Sequence, residues 1–159
     1  MAEINTTSVE WDLRFLELAK LVSTWSKDPS TKVGAVIIDD NRRVVSVGYN
    51  GFPKGVRDSE HRLGNREVKY NYMVHAERNA MLFANSIPKN STIYTYPFMP
   101  CSECAGMVIQ SGIKKVVTLY DDNSRWADSF KVTKRMFGEA GVNLIEYSKN
   151  IFLKVDSNF

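Results

Sequence analysis

Two short strings in the sequence hold residue types that together can run metal-assisted chemistry. His75 and Glu77 stand two positions apart, and Cys101 and Cys104 stand three apart, directly after Pro100. The chain has two cysteines and two histidines in all, so most of its imidazole and thiol groups fall in these strings. One imidazole and two thiolates are ligands that zinc accepts, and three protein ligands leave the fourth tetrahedral position open for water. The sequence therefore predicts a catalytic zinc beside a free carboxylate.

The spacing of the two cysteines fits the beginning of a helix. Residues 104–110 have helical character, and side chains three apart lie on one face of a helical turn. A helix N-terminus carries a positive partial charge, which favours the thiolate form that binds metal. Proline suits this position, because it lacks a donor that the first turn would leave unpaired anyway.

His75 and Glu77 need a different explanation, because residues two apart inside a helix point to different faces. They converge only if His75 lies at the start of a helix, before its backbone becomes regular. Residues 76–84 have strong helix character, whereas residues 71–74 do not. We therefore expect two helix N-termini to point at one metal.

Two other interpretations of these residues are open. A C-x-x-C pair taken alone is typical of a redox motif or of half a structural zinc site. A structural site would need a fourth ligand, and His61 is the remaining histidine. We interpret His61 as an ordinary surface or core residue and the site as catalytic, since a structural zinc has no use for the carboxylate of Glu77.

The composition is that of an ordinary globular protein, with 43% hydrophobic and 25% charged residues. We expect a single domain over 1–159, with a core at about 9–147 and a tail at 148–159. No apolar run approaches the roughly 20 residues of a membrane span, and the N-terminus lacks signal-peptide features. Two cysteines claimed by metal suggest a reducing, cytoplasmic location. The net charge of +3 suits an anionic small substrate as well as a nucleic acid.

Helix and strand patterns alternate along the chain without repeats. The period of the apolar residues predicts the order α-β-β-α-β-α-β-α-β, which fits a mixed sheet with helices on both faces. Residues 50–74 are interpreted as a long surface loop. The tail carries an apolar group at 151–153 that we expect to dock on the domain or on a neighbouring subunit. The elements are a helix at 9–25, strands at 32–39, 43–49, 91–96, 114–120 and 143–147, and helices from 75, from 101 and at 128–140.

These features resemble a known family. The pattern H-x-E…P-C-x-x-C is the signature of zinc nucleobase deaminases. Over residues 9–147 the chain resembles the deoxycytidylate deaminases, in the strings at 26–35, 48–55 and 110–115, and it looks like a phage or microbial member. The string at 48–55, G-Y-N-G-x-P-x-G, favours a free mononucleotide over tRNA or single-stranded DNA. The resemblance implies a three-layer α/β/α cytidine-deaminase-like fold with a mixed five-stranded sheet.

The resemblance also implies an activity, the zinc-dependent hydrolysis of dCMP to dUMP and ammonia, which would supply dUMP for thymidylate synthesis. His75, Cys101 and Cys104 would hold a single zinc, no organic cofactor would be needed, and Glu77 would move the protons. A tRNA or single-stranded polynucleotide deaminase with the same zinc chemistry is the main rival. A zinc-stabilised binding module without catalysis is the second.

Substrate contacts are implied at four positions. Asn50 would contact the deoxyribose hydroxyl, and the backbone N–H of Ala76 would donate to the base O2. Ser26 and Lys27 would lie at the 5′-phosphate. Two alternatives stay open: Asn50 could instead adopt the left-handed conformation of an Asn-Gly turn, and Lys27 could simply be solvated.

The family is typically a homohexamer that dCTP activates and dTTP inhibits, with magnesium. The resemblance places the effector pocket at Gly48, Tyr49, Asn50 and Gly51, and implies no nucleic-acid or membrane partner. Two departures stand out. Some phage members bind a second, structural zinc within the segment at 52–74, where this chain has His61 and no cysteine, so we expect one zinc. A family tyrosine near 123–124 is also replaced, which leaves Trp126 as the candidate for stacking.

Overall fold

The computed structural model describes residues 6–156, which form a five-stranded sheet between two helical layers. The strand order is β2-β1-β3-β4-β5. β1 is antiparallel to both β2 and β3, whereas β3, β4 and β5 run parallel to one another. This confirms the predicted mixed sheet. The strands are β1 Gly34–Ile38, β2 Val44–Tyr49, β3 Thr92–Tyr96, β4 Lys115–Leu119 and β5 Asn143–Tyr147.

Helices cover both faces of the sheet, as the three-layer architecture requires. The first and the last pack on one face, and the fourth, fifth and sixth pack on the other. β1 is buried on both faces: Val36 and Ile38 face the first helix, and Ala35 and Ile37 face the opposite layer. None of the helices in the described range is long and apolar enough to cross a bilayer. The helices are α1 Thr6–Ser23, α2 Glu60–Gly64, α3 Arg66–Tyr72, α4 Ala76–Phe83, α5 Ser102–Gln110, α6 Ala127–Ala140 and α7 Lys149–Asp156.

The prediction of one long loop at 50–74 is wrong, because α2 and α3 lie within it. Ser59 caps α2 by accepting the backbone N–H of Arg62, and Asn65 caps α3 by accepting that of Val68. Such caps stabilise short helices that have no apolar stripe. α2 buries no residue and α3 buries only Lys69, so neither helix shows the apolar period that sequence analysis depends on.

The tail forms α7 and docks on its own domain, one of the two expected positions. Phe152 is only 2% exposed, and its ring centroid lies 6.0 Å from that of Tyr96 at the end of β3. The flanking Ile151 and Leu153 are exposed. Burial of one aromatic side chain thus anchors a short helix that the pattern alone left undefined. The ends of the predicted 1–159 domain, residues 1–5 and 157–159, lie outside the described residues.

Candidate active site

Three ligand atoms converge where two helices begin. His75 is the N-cap of α4 and Cys101 is the N-cap of α5, both with extended backbone, while Cys104 lies in the first turn of α5. His75 Nδ1 lies 3.5 Å from the sulfur of Cys101 and 3.3 Å from that of Cys104. All three ligand atoms lie within 4.8 Å of one another. This confirms the expected convergence of two helix N-termini, and one nitrogen with two sulfurs is a donor set that fits zinc.

The two thiols share a hydrogen bond that shifts their pKa values in opposite directions. The pKa of Cys101 is lowered to about 4, mainly by a hydrogen bond with Cys104 and also by one with His75, which together outweigh the opposite effect of burial. The pKa of Cys104 is raised, first by this same hydrogen bond and then by burial. Without a metal, these opposite shifts favour one thiolate and one protonated thiol in the pair. Because zinc takes both sulfurs as thiolates, its binding would release that proton.

Glu77 lies in the first turn of α4, and its side chain is almost completely buried. Burial raises the pKa of its carboxyl group, while the nearby His75 acts in the opposite direction. A carboxyl group with a raised pKa takes up a proton more readily than a solvated one, which a group that carries protons requires. The environment of Glu77 thus suits a general acid and base.

Neighbouring elements fix the geometry of both helix starts. On α6, the hydroxyl of Thr133 donates to the carbonyl of Pro100 at 2.9 Å and so holds the turn before Cys101. An ion pair of 2.7 Å between Arg78 and Glu103 joins the first turns of α4 and α5. The metal ligands are therefore held by contacts between helices and not by their loops alone.

The cluster lines a cleft with about 610 Å³ of empty space, part of which is open to solvent. His75, Glu77 and Cys101 lie along it, and the ring of Trp126 meets that of His75 edge-on at 6.3 Å. Trp126 therefore lines the cleft beside the candidate metal ligands, and its stacking on a base stays a prediction. The apolar wall is completed by Met73, Phe98, Met99 and Phe130.

Comparison with known proteins agrees with this site. The family model for the cytidine and deoxycytidylate deaminase zinc-binding region matches residues 9–120. The chain belongs to this family. An uncharacterized deaminase in the luxG 3′ region of Aliivibrio fischeri is 47% identical over 138 residues, which cover 85% of this chain and 92% of the relative. Human deoxycytidylate deaminase is 37% identical over 150 residues, covering 87% of this chain and 80% of the human protein.

A solved structure shows the same likeness. The dCMP deaminase of cyanophage S-TIM5, in complex with dCMP and dUMP, matches with a TM-score of 0.67 and 25% identity. The match covers 91% of this chain and 100% of the phage chain. Together with the family match, it confirms the cytidine-deaminase-like fold that the sequence predicts.

Asn50 of this deaminase lies at the cleft, but its side chain already has partners. Its Oδ1 accepts the backbone N–H of Val33 at 2.9 Å, and its Nδ2 donates to the carbonyl of Thr31 at 2.9 Å. Within the described range, the non-glycine residues with positive φ are Arg42 and Asn90. The alternative of a left-handed Asn-Gly turn at Asn50 is therefore wrong. Its contact with the deoxyribose stays a prediction.

Ala76 and Gly48 lie where α4 crosses β2. Ala76 lines the cleft at the first position of α4, where a helix leaves its backbone N–H without an intrahelical partner. A Cβ atom added to Gly48 would lie 2.4 Å from the carbonyl oxygen of Ala76 and 2.4 Å from the amide nitrogen of Ala80. The lack of a side chain at Gly48 thus has a packing explanation, which is the close approach of α4 to the sheet.

Ser26 and Lys27 do not reach the cleft that holds the metal ligands. Ser26 is buried and donates its hydroxyl to the carbonyl of Asn50 at 2.8 Å. The ammonium group of Lys27 lies 2.8 Å from a carboxylate oxygen of Asp58 and is mostly exposed. Lys27 lines a second cavity, with about 480 Å³ of empty space. This cavity shares Asp28, Asn50 and Met73 with the main cleft.

The remaining predicted effector residues lie at this second cavity. Tyr49 and Gly51 line it, and the ring of Trp25 meets that of Tyr49 edge-on at 6.1 Å. Gly51 also forms an isolated antiparallel β-bridge with Val74, the residue directly before His75. The cavity therefore lies directly beside the active cleft.

The sequence analysis missed two cations of the cleft, Lys69 and Arg125. Lys69 is buried and forms an ion pair with Asp28, and Arg125 lies on the loop between β4 and α6. Burial would raise the pKa of Asp28, but hydrogen bonds from Ser30, Lys69 and Thr31 lower it overall. The string at 26–35 contains Asp28, but its partner Lys69 is 41 positions away, in a segment without a recognisable motif.

His61 lies on α2 and is exposed. Among the described residues, the group of side chains that could hold a metal consists of His75, Cys101 and Cys104. His61 is therefore not a fourth ligand of this cluster, which removes the interpretation of the cluster as a closed structural site.

Proposed function

We propose that this deaminase hydrolyses dCMP to dUMP and ammonia. The observation that carries the proposal is the position of the buried Glu77 in the same cleft as His75 and Cys101. A structural metal site would not need a buried carboxylic acid beside an open cleft. The substrate is supported by the human relative, named a deoxycytidylate deaminase, and by the phage structure that binds dCMP and dUMP.

The residues of the cleft have distinct roles in this proposal. His75, Cys101 and Cys104 would hold a zinc ion, whose chemistry would be to activate a water for attack on C4 of the cytosine ring. Glu77 would accept one proton from that water and deliver it to N3, and would then take the second proton from the new hydroxyl at C4 and pass it to the departing amine. The water oxygen becomes the O4 carbonyl of dUMP, and the amino group leaves as ammonia.

Other residues bind and orient the nucleotide. The backbone N–H of Ala76 donates to the base O2, which fixes the ring edge that faces Glu77. Trp126 forms an aromatic wall against the base, and Asn50 contacts the deoxyribose. The hydrogen bonds of Asn50 to Val33 and Thr31 hold its amide in one orientation, which favours a defined contact with the sugar.

We also propose the finer properties of the family for this chain: a homohexamer in the cytoplasm that supplies dUMP for thymidylate synthesis. dCTP would activate it and dTTP would inhibit it, with magnesium, at the cavity lined by Tyr49, Asn50 and Gly51. The support is the position of this cavity, which shares Asn50 and Met73 with the active cleft. An effector there would contact residues that also face the substrate.

Ammonia release from a panel of substrates tests the proposal. Zinc-loaded protein is incubated with dCMP, CMP, dCTP, deoxycytidine and a cytosine-containing oligonucleotide. The proposal predicts that dCMP has the highest kcat/KM. A higher value for the oligonucleotide would favour the polynucleotide deaminase, and no ammonia from any substrate would favour the binding module.

A further inference from the structure

The two cysteines of the metal cluster are also placed to react with each other. Cys101 is the N-cap of α5, and Cys104 lies three positions later in the first turn of the same helix. Their sulfurs approach the same atom, Nδ1 of His75, at 3.5 Å and 3.3 Å. A C-x-x-C pair at the start of a helix is also the arrangement of thiol–disulfide redox motifs. Deamination does not use this second property of the pair.

The two sulfurs differ in their access to solvent. Cys101 is partly exposed and lines the cleft, whereas Cys104 is completely buried and is not among the residues that line it. A small oxidant that enters the cleft therefore meets Cys101 first. The sequence contains no third cysteine, so Cys104 is the one thiol of the same chain that can react with an oxidised Cys101.

We propose that Cys101 and Cys104 form a reversible disulfide when a peroxide oxidises the site, and that this bond inactivates the enzyme by releasing its zinc. The inference rests on the zinc site of the proposed function and goes beyond its reaction, because it gives the same sulfurs a regulatory role. A disulfide draws two sulfurs to bonding distance, whereas a tetrahedral zinc would hold them as separate thiolate ligands. The disulfide and the metal therefore exclude each other.

The oxidation takes place in two steps. The thiolate of Cys101 attacks one oxygen of hydrogen peroxide, the O–O bond breaks, and hydroxide leaves, so that Cys101 becomes a sulfenic acid. The sulfur of Cys104 then attacks the sulfur of Cys101, an S–S bond forms, the S–O bond breaks, and a second hydroxide leaves. Each hydroxide takes a proton from the solvent and becomes water. The two sulfurs lose two electrons and the peroxide gains two, while the zinc ion leaves with its charge unchanged.

The structure favours the disulfide over further oxidation of Cys101. A sulfenic acid proceeds to the irreversible sulfinic acid unless a thiol reacts with it first. The sulfur of Cys104 lies within 4.8 Å of that of Cys101. The backbone of this turn is held in place, since the carbonyl of Cys101 accepts the N–H of Ala105 at 2.8 Å and the N–H of Ser102 donates to the hydroxyl of Ser129 at 2.8 Å. Rotation of the two side chains can therefore close the bond while α5 keeps its first turn.

Treatment of the zinc-loaded protein with hydrogen peroxide tests the proposal. Three readouts do not depend on turnover: the zinc released to a coloured chelator, the number of free thiols, and the mass of the intact chain. Each chain should release its zinc, lose both thiols and become lighter by two hydrogens than the reduced, metal-free chain. The rate of dUMP formation should fall in proportion to the zinc lost, and dithiothreitol with added zinc should restore both.

Two cysteine variants test the order of the steps. Each lacks a metal ligand, so both are compared with wild-type protein from which a chelator has removed the zinc. Cys104→Ser should stop at a sulfenic acid on Cys101 that dimedone traps, and more peroxide should convert it to a sulfinic acid that dithiothreitol does not reduce. Cys101→Ser is the matched control, and its buried Cys104 should react with peroxide more slowly.

Four results would overturn the inference. They are a loss of activity with zinc and both thiols retained, a release of zinc with oxygen atoms added to the cysteines, a disulfide between two chains, and faster oxidation of Cys104 in Cys101→Ser than of Cys101 in Cys104→Ser. A different result would separate the two proposals. Reversible disulfide formation with zinc release, in a protein that forms no dUMP from dCMP, would support the redox chemistry of the site and contradict the proposed function.

Discussion

The ammonium group of Lys69 lies 3.0 Å from a carboxylate oxygen of Asp28, and each side chain is only 5% exposed. Lys69 also donates to the hydroxyl of Ser30 at 2.7 Å, and the other oxygen of Asp28 lies 3.4 Å from the amide nitrogen of Asn50. The pair connects α3 with the loop before β1 and forms part of the cleft wall. We infer that the ion pair positions Asn50, since it fixes the carboxylate of Asp28 that the side-chain amide of Asn50 contacts.

Replacement of Lys69 should therefore destabilise the fold. Lys69→Met leaves a buried carboxylate without its cation, and breaking a buried ion pair in this way costs about 3–5 kcal/mol. Urea unfolding measures the change in the free energy of unfolding. The double variant Lys69→Met/Asp28→Asn should recover part of the loss, because it removes the unpaired charge.

The exposed ion pair between Lys27 and Asp58 provides the contrast. Lys27→Met should leave the urea midpoint close to that of the wild type, because a solvated ion pair contributes little. A similar loss of stability in both single variants would show that the burial of Lys69 is not what makes its ion pair important.

Gly48 was expected at the effector pocket, but the structure gives it a packing role beneath α4. The two roles predict different effects of a Gly48→Ala substitution. Gly48→Ala places a methyl group against backbone atoms of Ala76 and Ala80, so α4 must move. Overpacking of this kind costs about 1–3 kcal/mol, and the shift should also reduce activity through Glu77. Thermal unfolding and dCMP turnover without any effector measure both effects.

Gly51→Ala is the matched control, since an added Cβ atom there meets nothing within 4 Å. It should keep the stability of the wild type. If Gly48→Ala were as stable and as active as Gly51→Ala, the close contact between β2 and α4 would not constrain the site.

Metal content tests the ligand set. Elemental analysis should find one zinc for each chain, bound by one imidazole and two thiolates. Cys104→Ala should lose the metal and lower the thermal stability, because the binding energy of such a site contributes to folding. Chelation of the wild-type zinc should lower the melting temperature in the same direction. Two zincs for each chain would show that the segment at 52–74 binds a second ion.

The sequence predicted those parts of the site that depend on residue type and local spacing. His75, Cys101 and Cys104 were identified because their donor atoms are chemically distinctive and because each string begins a helix. The same local logic placed the five strands within a few residues of their observed bounds. Short-range geometry is set by neighbouring residues, so it can be derived from a single sequence.

The missed features depend on contacts between distant positions. Lys69 meets Asp28 across 41 residues, and Arg125 meets Tyr70 across 55 residues. Neither contact leaves a local pattern, and α3 has no apolar stripe that would have predicted a helix around Lys69. The constraint on Gly48 likewise arises only when α4 lies on the sheet.

The rate at which the Glu77→Gln variant converts dCMP to dUMP is the most direct test of whether Glu77 carries the protons of the reaction. The substitution keeps the size of the side chain and removes its ability to exchange a proton, while the zinc ligands stay in place. With the same zinc content as the wild type, the variant should lose activity by about 10²–10⁴-fold, because general acid–base catalysis contributes about that factor. A zinc-loaded Glu77→Gln protein that forms dUMP at close to the wild-type rate would contradict the account.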